Sequence, residues 1–142
     1  MMPIAPKREP VRRALDTEVT GLDIYYKGET GSPARPFFVT GFDQQTNSNL
    51  FWLWEVDHIT RRVLTVKEDL LEIQKWILGA DELILQNAKY DHSVLRETFN
   101  DNGLELQWDW DKVHDTLLSA HLIASNQPKD LTTQALKYLN SN

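Results

Sequence analysis

At residues 82–91 the chain reads Glu82-Leu83-Ile84-Leu85-Gln86-Asn87-Ala88-Lys89-Tyr90-Asp91. The short apolar run with polar neighbours is typical of a buried strand, which we place at 82–86. The stretch 91–100 carries apolar residues at helical spacing and precedes Asn102-Gly103, so it predicts a helix that ends there. A buried strand that passes directly into a helix is a building unit of α/β proteins.

Upstream of that stretch, three segments rich in β-forming residues are joined by polar or Gly/Pro-rich loops. They predict an antiparallel meander over 14–20, 37–42 and 50–56. The third segment contains Phe51-Trp52-Leu53-Trp54, which we interpret as a strand buried on both sides. Apolar residues at helical spacing then predict a helix over 70–78, with Gly79 as its C-cap.

Downstream, the pattern predicts a brief strand over 112–114 and two helices over 116–124 and 131–139, with Asp115 as the cap of the first. The predicted order is β-β-β-α-β-α-β-α-α. Such an order implies an α/β protein with a mixed sheet, in which an antiparallel meander of three strands is extended by parallel strands and flanked by helices. This order of elements resembles that of the ribonuclease H-like fold.

Composition limits the classes of function. With 142 residues, of which 41% are hydrophobic, the chain predicts a single domain. The net charge of −6 argues against a protein that coats nucleic acid by bulk attraction. Because the chain has no cysteine, any metal must be held by oxygen or imidazole. We expect residues 1–12 to form a flexible basic leader and 13–142 to form the domain.

The sequence also carries neither a secretory signal nor an apolar run long enough to cross a bilayer. We therefore expect no membrane partner and a cytoplasmic location.

A pair of acidic residues lies on the first predicted strand. Asp16 and Glu18 are two positions apart, so their side chains share a face, about 7 Å apart at the backbone. Thr17 faces the other way between them. Apolar neighbours place the pair inside or beside a core, where two carboxylates would repel each other unless a cation compensated them. The alternative is that both are solvated acids on a surface strand.

Asp91 lies where the buried strand passes into a helix, and open α/β sheets bind their ligands at such junctions. As an isolated feature, it would be read as an ordinary helix cap. His92, the next residue, could contact a metal, although a histidine in an exposed first turn is the more ordinary case.

Taken together, the motifs resemble a known family. The sequence contains Asp16-Thr17-Glu18 with Gly21-Leu22, then Gln86-Asn87-Ala88-Lys89-Tyr90-Asp91, then His114-Asp115-Thr116-Leu117-Leu118. In this order they are similar to the DEDD superfamily of 3′→5′ exonucleases, and in particular to the proofreading domain of family A DNA polymerases. The similarity runs from about residue 13 to residue 139.

The resemblance implies that Asp16, Glu18 and Asp91 are catalytic carboxylates that bind two divalent ions, Mg²⁺ or Mn²⁺. It implies a single-stranded DNA 3′ end as substrate and a DNA polymerase domain as partner, in the same or another chain. The setting would be a bacterial or phage-infected cell. The residues that it assigns to the substrate are Thr17, Leu22, Gln86 and Asn87.

The sequence departs from the family in its last motif, which is Tyr-x-x-x-Asp or His-x-x-x-x-Asp. At those spacings Tyr138 meets Asn142, His121 meets Asn126 and His114 meets Ser119. Asp115 could replace the missing aspartate, but a helix cap is the more common role for a residue in its position.

We therefore expect a C-terminally incomplete exonuclease domain, or else a homologue that has lost catalysis. Two other hypotheses remain open: an RNA-trimming exonuclease of the same superfamily, and an inactive domain that only binds nucleic acid.

Overall fold

The computed structural model of the chain describes residues 9–28 and 31–117. Its strands are β1 Arg12–Val19, β2 Pro36–Asp43, β3 Ser48–Leu53, β4 Glu82–Leu85 and β5 Val113–Asp115. Its helices are α1 Lys67–Leu78 and α2 Ala88–Asp101, and a short 3₁₀ turn, Trp110–Lys112, precedes β5. None of the helices within these two ranges has the length and apolar content needed to span a membrane.

The strands form one mixed sheet in the order β3-β2-β1-β4-β5. β1 pairs antiparallel with β2, and β2 pairs antiparallel with β3. On its other side β1 pairs parallel with β4, which in turn pairs parallel with β5. This arrangement confirms the predicted α/β fold with a meander and parallel strands. The predicted helices over 116–124 and 131–139 lie outside the described residues beyond Leu117.

The two helices pack over the same face of the sheet. On β1 this face carries Leu15 and Thr17, because successive strand residues point to opposite sides. The ring of Trp76 on α1 lies so close to Gly41 of β2 that a Cβ there would be 2.7 Å from it. The core under both helices is one apolar cluster that includes Leu15, Val39, Trp52, Leu70, Ile73, Trp76, Ile77, Leu85, Leu95 and Phe99.

The prediction that the third strand is buried on both sides is wrong. β3 lies at the edge of the sheet, where Trp52 is 7% exposed but Phe51 is 67% and Leu53 is 62% exposed. Trp52 pairs with Val39 and points into the core, so its two neighbours point to the opposite face. Trp54 is buried beyond the end of the strand, and its indole nitrogen donates a hydrogen bond of 2.9 Å to Asp69.

α2 begins three residues earlier than the sequence predicts. Asn87 precedes it in the left-handed conformation, with φ 64°, which asparagine tolerates better than most residues. This conformation turns the chain sharply from β4 into the helix. Asp91 consequently lies in the first turn of α2 and does not cap it.

Candidate active site

β1 carries the acidic pair at the centre of the sheet. Asp16 and Glu18 lie opposite Thr40 and Phe38 of β2, on the face that points away from Thr17. Both acids are exposed, so they lie beside the core and not inside it. Partial desolvation of the carboxylate, followed by repulsion from Glu18, raises the pKa of Asp16 above its ordinary value.

Asp91 on α2 is a buried acid at 4% exposure. Its Oδ1 accepts a hydrogen bond of 2.6 Å from the hydroxyl of Thr17, whereas its Oδ2 has no hydrogen-bond partner among the described residues. Burial raises the pKa of Asp91 to about 7; the Thr17 hydrogen bond opposes this shift, and repulsion from Asp16 and Asp115 adds to it. The hydrogen bond from Thr17 thus compensates the burial of the Asp91 carboxylate only in part.

The three predicted metal ligands are not gathered into one cluster. Within residues 9–28 and 31–117, no three or more His, Asp or Glu side chains stand close enough to hold a metal ion. Asp91 meets β1 through Thr17, whose side chain points away from Asp16 and Glu18, although Asp16 lies close enough to Asp91 for their charges to repel. The family resemblance implied only a substrate-binding role for Thr17, and its contact with Asp91 was not expected. The assignment of the three acids to metal stays a prediction.

Asp115 joins β5 to the start of α2. Its Oδ1 accepts from the backbone amides of Asn87 at 3.1 Å and Leu117 at 3.0 Å, and its Oδ2 accepts from Ala88 at 2.9 Å. The bond from Leu117 confirms the predicted capping role. The two bonds to the start of α2 could not be predicted, because they depend on β4 and β5 being neighbours.

We expect the variant Asp115→Ala to be less stable by about 1–3 kcal/mol, since backbone amides near a helix start lose their acceptor. Urea unfolding would measure this loss. The variant Asp109→Ala is the matched control, because Asp109 accepts one backbone amide at an exposed 3₁₀ turn. Equal stability of the Asp115 variant and the unmodified chain would contradict the bridging role.

The residues predicted to bind substrate lie around the carboxyl ends of β1 and β4. Gln86 and Asn87 are exposed directly after β4. Leu22, in the loop after β1, is 92% exposed. The hydroxyl of Tyr90 on α2 donates a hydrogen bond of 3.1 Å to the carbonyl of Gly21, which ties this loop to the helix that carries Asp91. This role of Tyr90 was not predicted from the sequence.

His92 packs against two tryptophan rings that also contact each other. Its ring centroid lies 5.1 Å from that of Trp108 and 4.9 Å from that of Trp110. Burial, and then the charge of Arg96, lowers the pKa of His92 below its ordinary value. His92 is half-buried, so the exposed position weighed from the sequence is wrong.

The geometry defines an α/β domain of the ribonuclease H-like class with acidic residues at the centre of its sheet. In a comparison of solved structures, the chain is similar to the family B DNA polymerase of the hyperthermophilic archaeon Pyrobaculum calidifontis, with a TM-score of 0.58 and 14% sequence identity. The match covers 99% of this chain and 19% of that one. At this identity the match shows the fold alone. It does not decide whether the chain is closer to family B or to family A DNA polymerases.

Among curated proteins, the chain is 30% identical over 110 residues to the DNA polymerase of Mycobacterium phage D29. The match covers 78% of this chain and 15% of the phage protein. No protein-family model matches the chain. The chain is therefore related to DNA polymerases, and it corresponds to a short part of their length.

Proposed function

We propose that the chain is a metal-dependent 3′→5′ exonuclease domain that removes nucleotides from DNA 3′ ends beside a DNA polymerase. The similarity to the D29 polymerase supports the polymerase context. The acidic residues at the centre of the sheet support phosphodiester hydrolysis, because this reaction commonly uses divalent ions held by carboxylates.

The observation that carries this proposal is the environment of Asp91. A buried carboxylate with one oxygen unpartnered costs folding free energy, and an electrostatic neighbour of the same sign, Asp16, increases that cost. Such a group is retained in proteins most readily where a cation compensates it. A functional site is therefore a better explanation for Asp91 than a structural one.

A divalent ion fits the chemistry of these donors. Asp16, Glu18 and Asp91 supply only hard oxygen atoms, which suit Mg²⁺ or Mn²⁺. Mg²⁺ usually keeps several waters and needs few carboxylates from the protein, so the lack of a three-ligand cluster among the described residues is compatible with it. When bound, such ions lower the pKa of a water and stabilise the charge on the leaving oxygen.

The remaining residues would position the strand. Thr17 holds Asp91 by its hydrogen bond and so fixes the direction of the free oxygen. Leu22 offers an exposed apolar side chain against which a terminal base could pack. Gln86 and Asn87 are exposed amides on the same edge of the sheet and could donate hydrogen bonds to the terminal nucleotide.

The test is digestion of a 5′-labelled single-stranded DNA, and of an RNA of the same sequence, with Mg²⁺ or Mn²⁺. We expect products that shorten from the 3′ end. Loss of Asp16 should slow their formation at least about tenfold, because an interaction with the reacting centre is removed. A chelator should abolish them. The variant Asp111→Ala, which removes an exposed acid on the turn before β5, is the control and should behave as the unmodified chain.

The outcomes separate the hypotheses. Preference for the RNA would favour the RNA-trimming alternative. Binding of DNA without any metal-dependent shortening, unchanged in Asp16→Ala, would favour the inactive nucleic-acid-binding alternative and contradict the proposal.

A further inference from the structure

A tight loop between β3 and α1 presents two arginines. The loop 57–62 is closed by backbone hydrogen bonds of 2.8 Å from Arg61 to Asp57 and from Asp57 to Arg62. The carboxylate of Asp57 also accepts from the amides of Ile59 and Thr60, both at 2.9 Å. The loop is therefore held by its own hydrogen bonds, and Arg61 and Arg62 are exposed on it.

Arg61 adopts a backbone conformation that disfavours an arginine. Its φ is 64°, in the left-handed region where glycine is the least strained residue. Its guanidinium Nη2 donates to the carbonyl of Thr20 at 3.4 Å. Thr20 comes two residues after Glu18, so Arg61 lies against the segment that leads from the acidic pair to Leu22. Backbone strain of this kind is common at binding sites, so the left-handed conformation of Arg61 beside this segment indicates a binding role.

The loop lines a groove that starts beside the candidate active site. A cavity of about 240 Å³ is bounded by Leu22, Gly21 and Arg61. A second cavity of about 610 Å³ is bounded by Arg62 and Thr65. Gly31 and Ser32 border both, so the two cavities adjoin, and together they are called the groove.

The charges along this groove favour an anion. Arg35 is paired with Asp101 at 2.8 Å, which neutralises both. Within the described ranges, no carboxylate forms an ion pair with Arg61 or Arg62. Asp23 is the remaining acid on the lining. The net charge of the chain is −6, so two adjacent guanidinium groups without a carboxylate in an ion pair give this part of the surface a charge opposite to that of the whole chain.

We propose that Arg61 and Arg62 bind the phosphodiester backbone of the single strand whose 3′ end lies at the acidic residues, so that the strand leaves along this groove. The proposal rests on the proposed function for the position of the 3′ end. Guanidinium groups suit it because they form paired hydrogen bonds to phosphate oxygens. Such contacts fix the position of a strand without reading its sequence.

The experiment measures binding of a 5′-fluorescein-labelled oligothymidylate by fluorescence anisotropy in a chelator, over a series of salt concentrations. The variants are Arg61→Gly, Arg62→Ala and their combination. Arg61→Gly removes the guanidinium and also relieves the left-handed strain, so it should keep the loop folded. Melting curves check that each variant is folded.

We expect weaker binding for each variant, and for the combination a slope of log affinity against log salt that is smaller by about 1.4, since each lost phosphate contact on a single strand contributes about 0.7. Arg61→Lys should retain most of the slope because it keeps the charge. The control is Lys75→Ala, which removes a charge from the last turn of α1, close to Arg13 at the amino-terminal end of β1. An unchanged slope in the folded double variant, or an equal decrease in the control, would overturn the proposal.

This readout is independent of catalysis. If Asp16→Ala cleaves DNA as fast as the unmodified chain while the arginine variants lose the salt-dependent binding, the proposed active site fails and the groove stands. If cleavage depends on Asp16 but the arginine variants bind normally, the proposed active site stands and the proposed role of the arginines fails.

Discussion

Replacement of Asp91 by asparagine should stabilise the metal-free protein at pH 8. The carboxylate is buried, and its pKa is raised to about 7 in the folded state from 3.8 in the unfolded chain. Asparagine keeps an oxygen for the Thr17 hydroxyl and removes the buried charge. We expect the free energy of unfolding at pH 8 to rise by up to about 4 kcal/mol, the equivalent of a pKa difference of about three units.

The pH dependence of stability follows from the same difference between the folded and unfolded pKa values of Asp91. Because the folded state binds the Asp91 proton more tightly than the unfolded state does, this group favours folding most below about pH 4. Its contribution decreases as the pH rises and is lost once the pH has passed about 7. Urea unfolding in a chelator should therefore show that the free energy of unfolding of Asp91→Asn increases relative to that of the unmodified chain from pH 4 to pH 8.

Asp111→Asn is the matched control, since it removes an exposed carboxylate from the turn before β5. Its free energy of unfolding relative to the unmodified chain should show no comparable increase with pH. Addition of Mg²⁺ or Mn²⁺ at pH 8 should raise the melting temperature of the unmodified chain and of this control, but not that of Asp91→Asn, because a ligand that binds only the folded state stabilises it. An Asp91→Asn variant with unchanged stability at every pH would refute the description of Asp91 as an under-compensated buried charge.

Replacement of Trp76 by alanine should cost about 3–5 kcal/mol of stability, as is usual for a large aromatic residue in a core. The Trp76 ring packs edge-on against Trp52, with ring centroids 6.3 Å apart, and covers the backbone at Gly41. The guanidinium of Arg13 lies 5.1 Å from the ring centroid and also donates to the Trp76 carbonyl. The loss would thus remove a core contact between α1 and two strands and leave a cavity.

Equilibrium unfolding in urea, followed by far-ultraviolet circular dichroism, would measure this loss. Leu71→Ala on the exposed side of the same helix is the control and should change stability by less than about 0.5 kcal/mol. Similar losses in both variants would mean that the Trp76 ring does not anchor α1 to the sheet.

Periodicity in the sequence predicted much of the fold. The apolar spacing correctly predicted a helix where α1 lies, and Leu70, Ile73 and Trp76 form its buried face because a helix packed on a sheet has one apolar face. The same reasoning misjudged β3, where Phe51 and Leu53 are exposed. An apolar run indicates a strand, but its place at the edge or the centre of a sheet depends on pairing with distant segments.

The candidate site was predictable only in part. Alternation along β1 placed Asp16 and Glu18 on one face, away from Thr17. The bond between Thr17 and Asp91 was not predictable, since it joins residues 74 positions apart. The two hydrogen bonds that Asp115 accepts from the start of α2 were missed for the same reason: contacts between separate elements follow from topology, which sequence spacing does not encode.

The order of the strands has a consequence for how the chain folds. β1, β2 and β3 follow one another and pair as a meander, so they close only short loops, whereas the pairing of Arg12 with Glu82 joins positions 70 residues apart. Closing the longer loop costs more chain entropy and is slower. We therefore expect the meander to form early and β4 to dock onto β1 late. The hydrogen bond between Thr17 and Asp91 would then form only in the final stage of folding, after most of the sheet is in place.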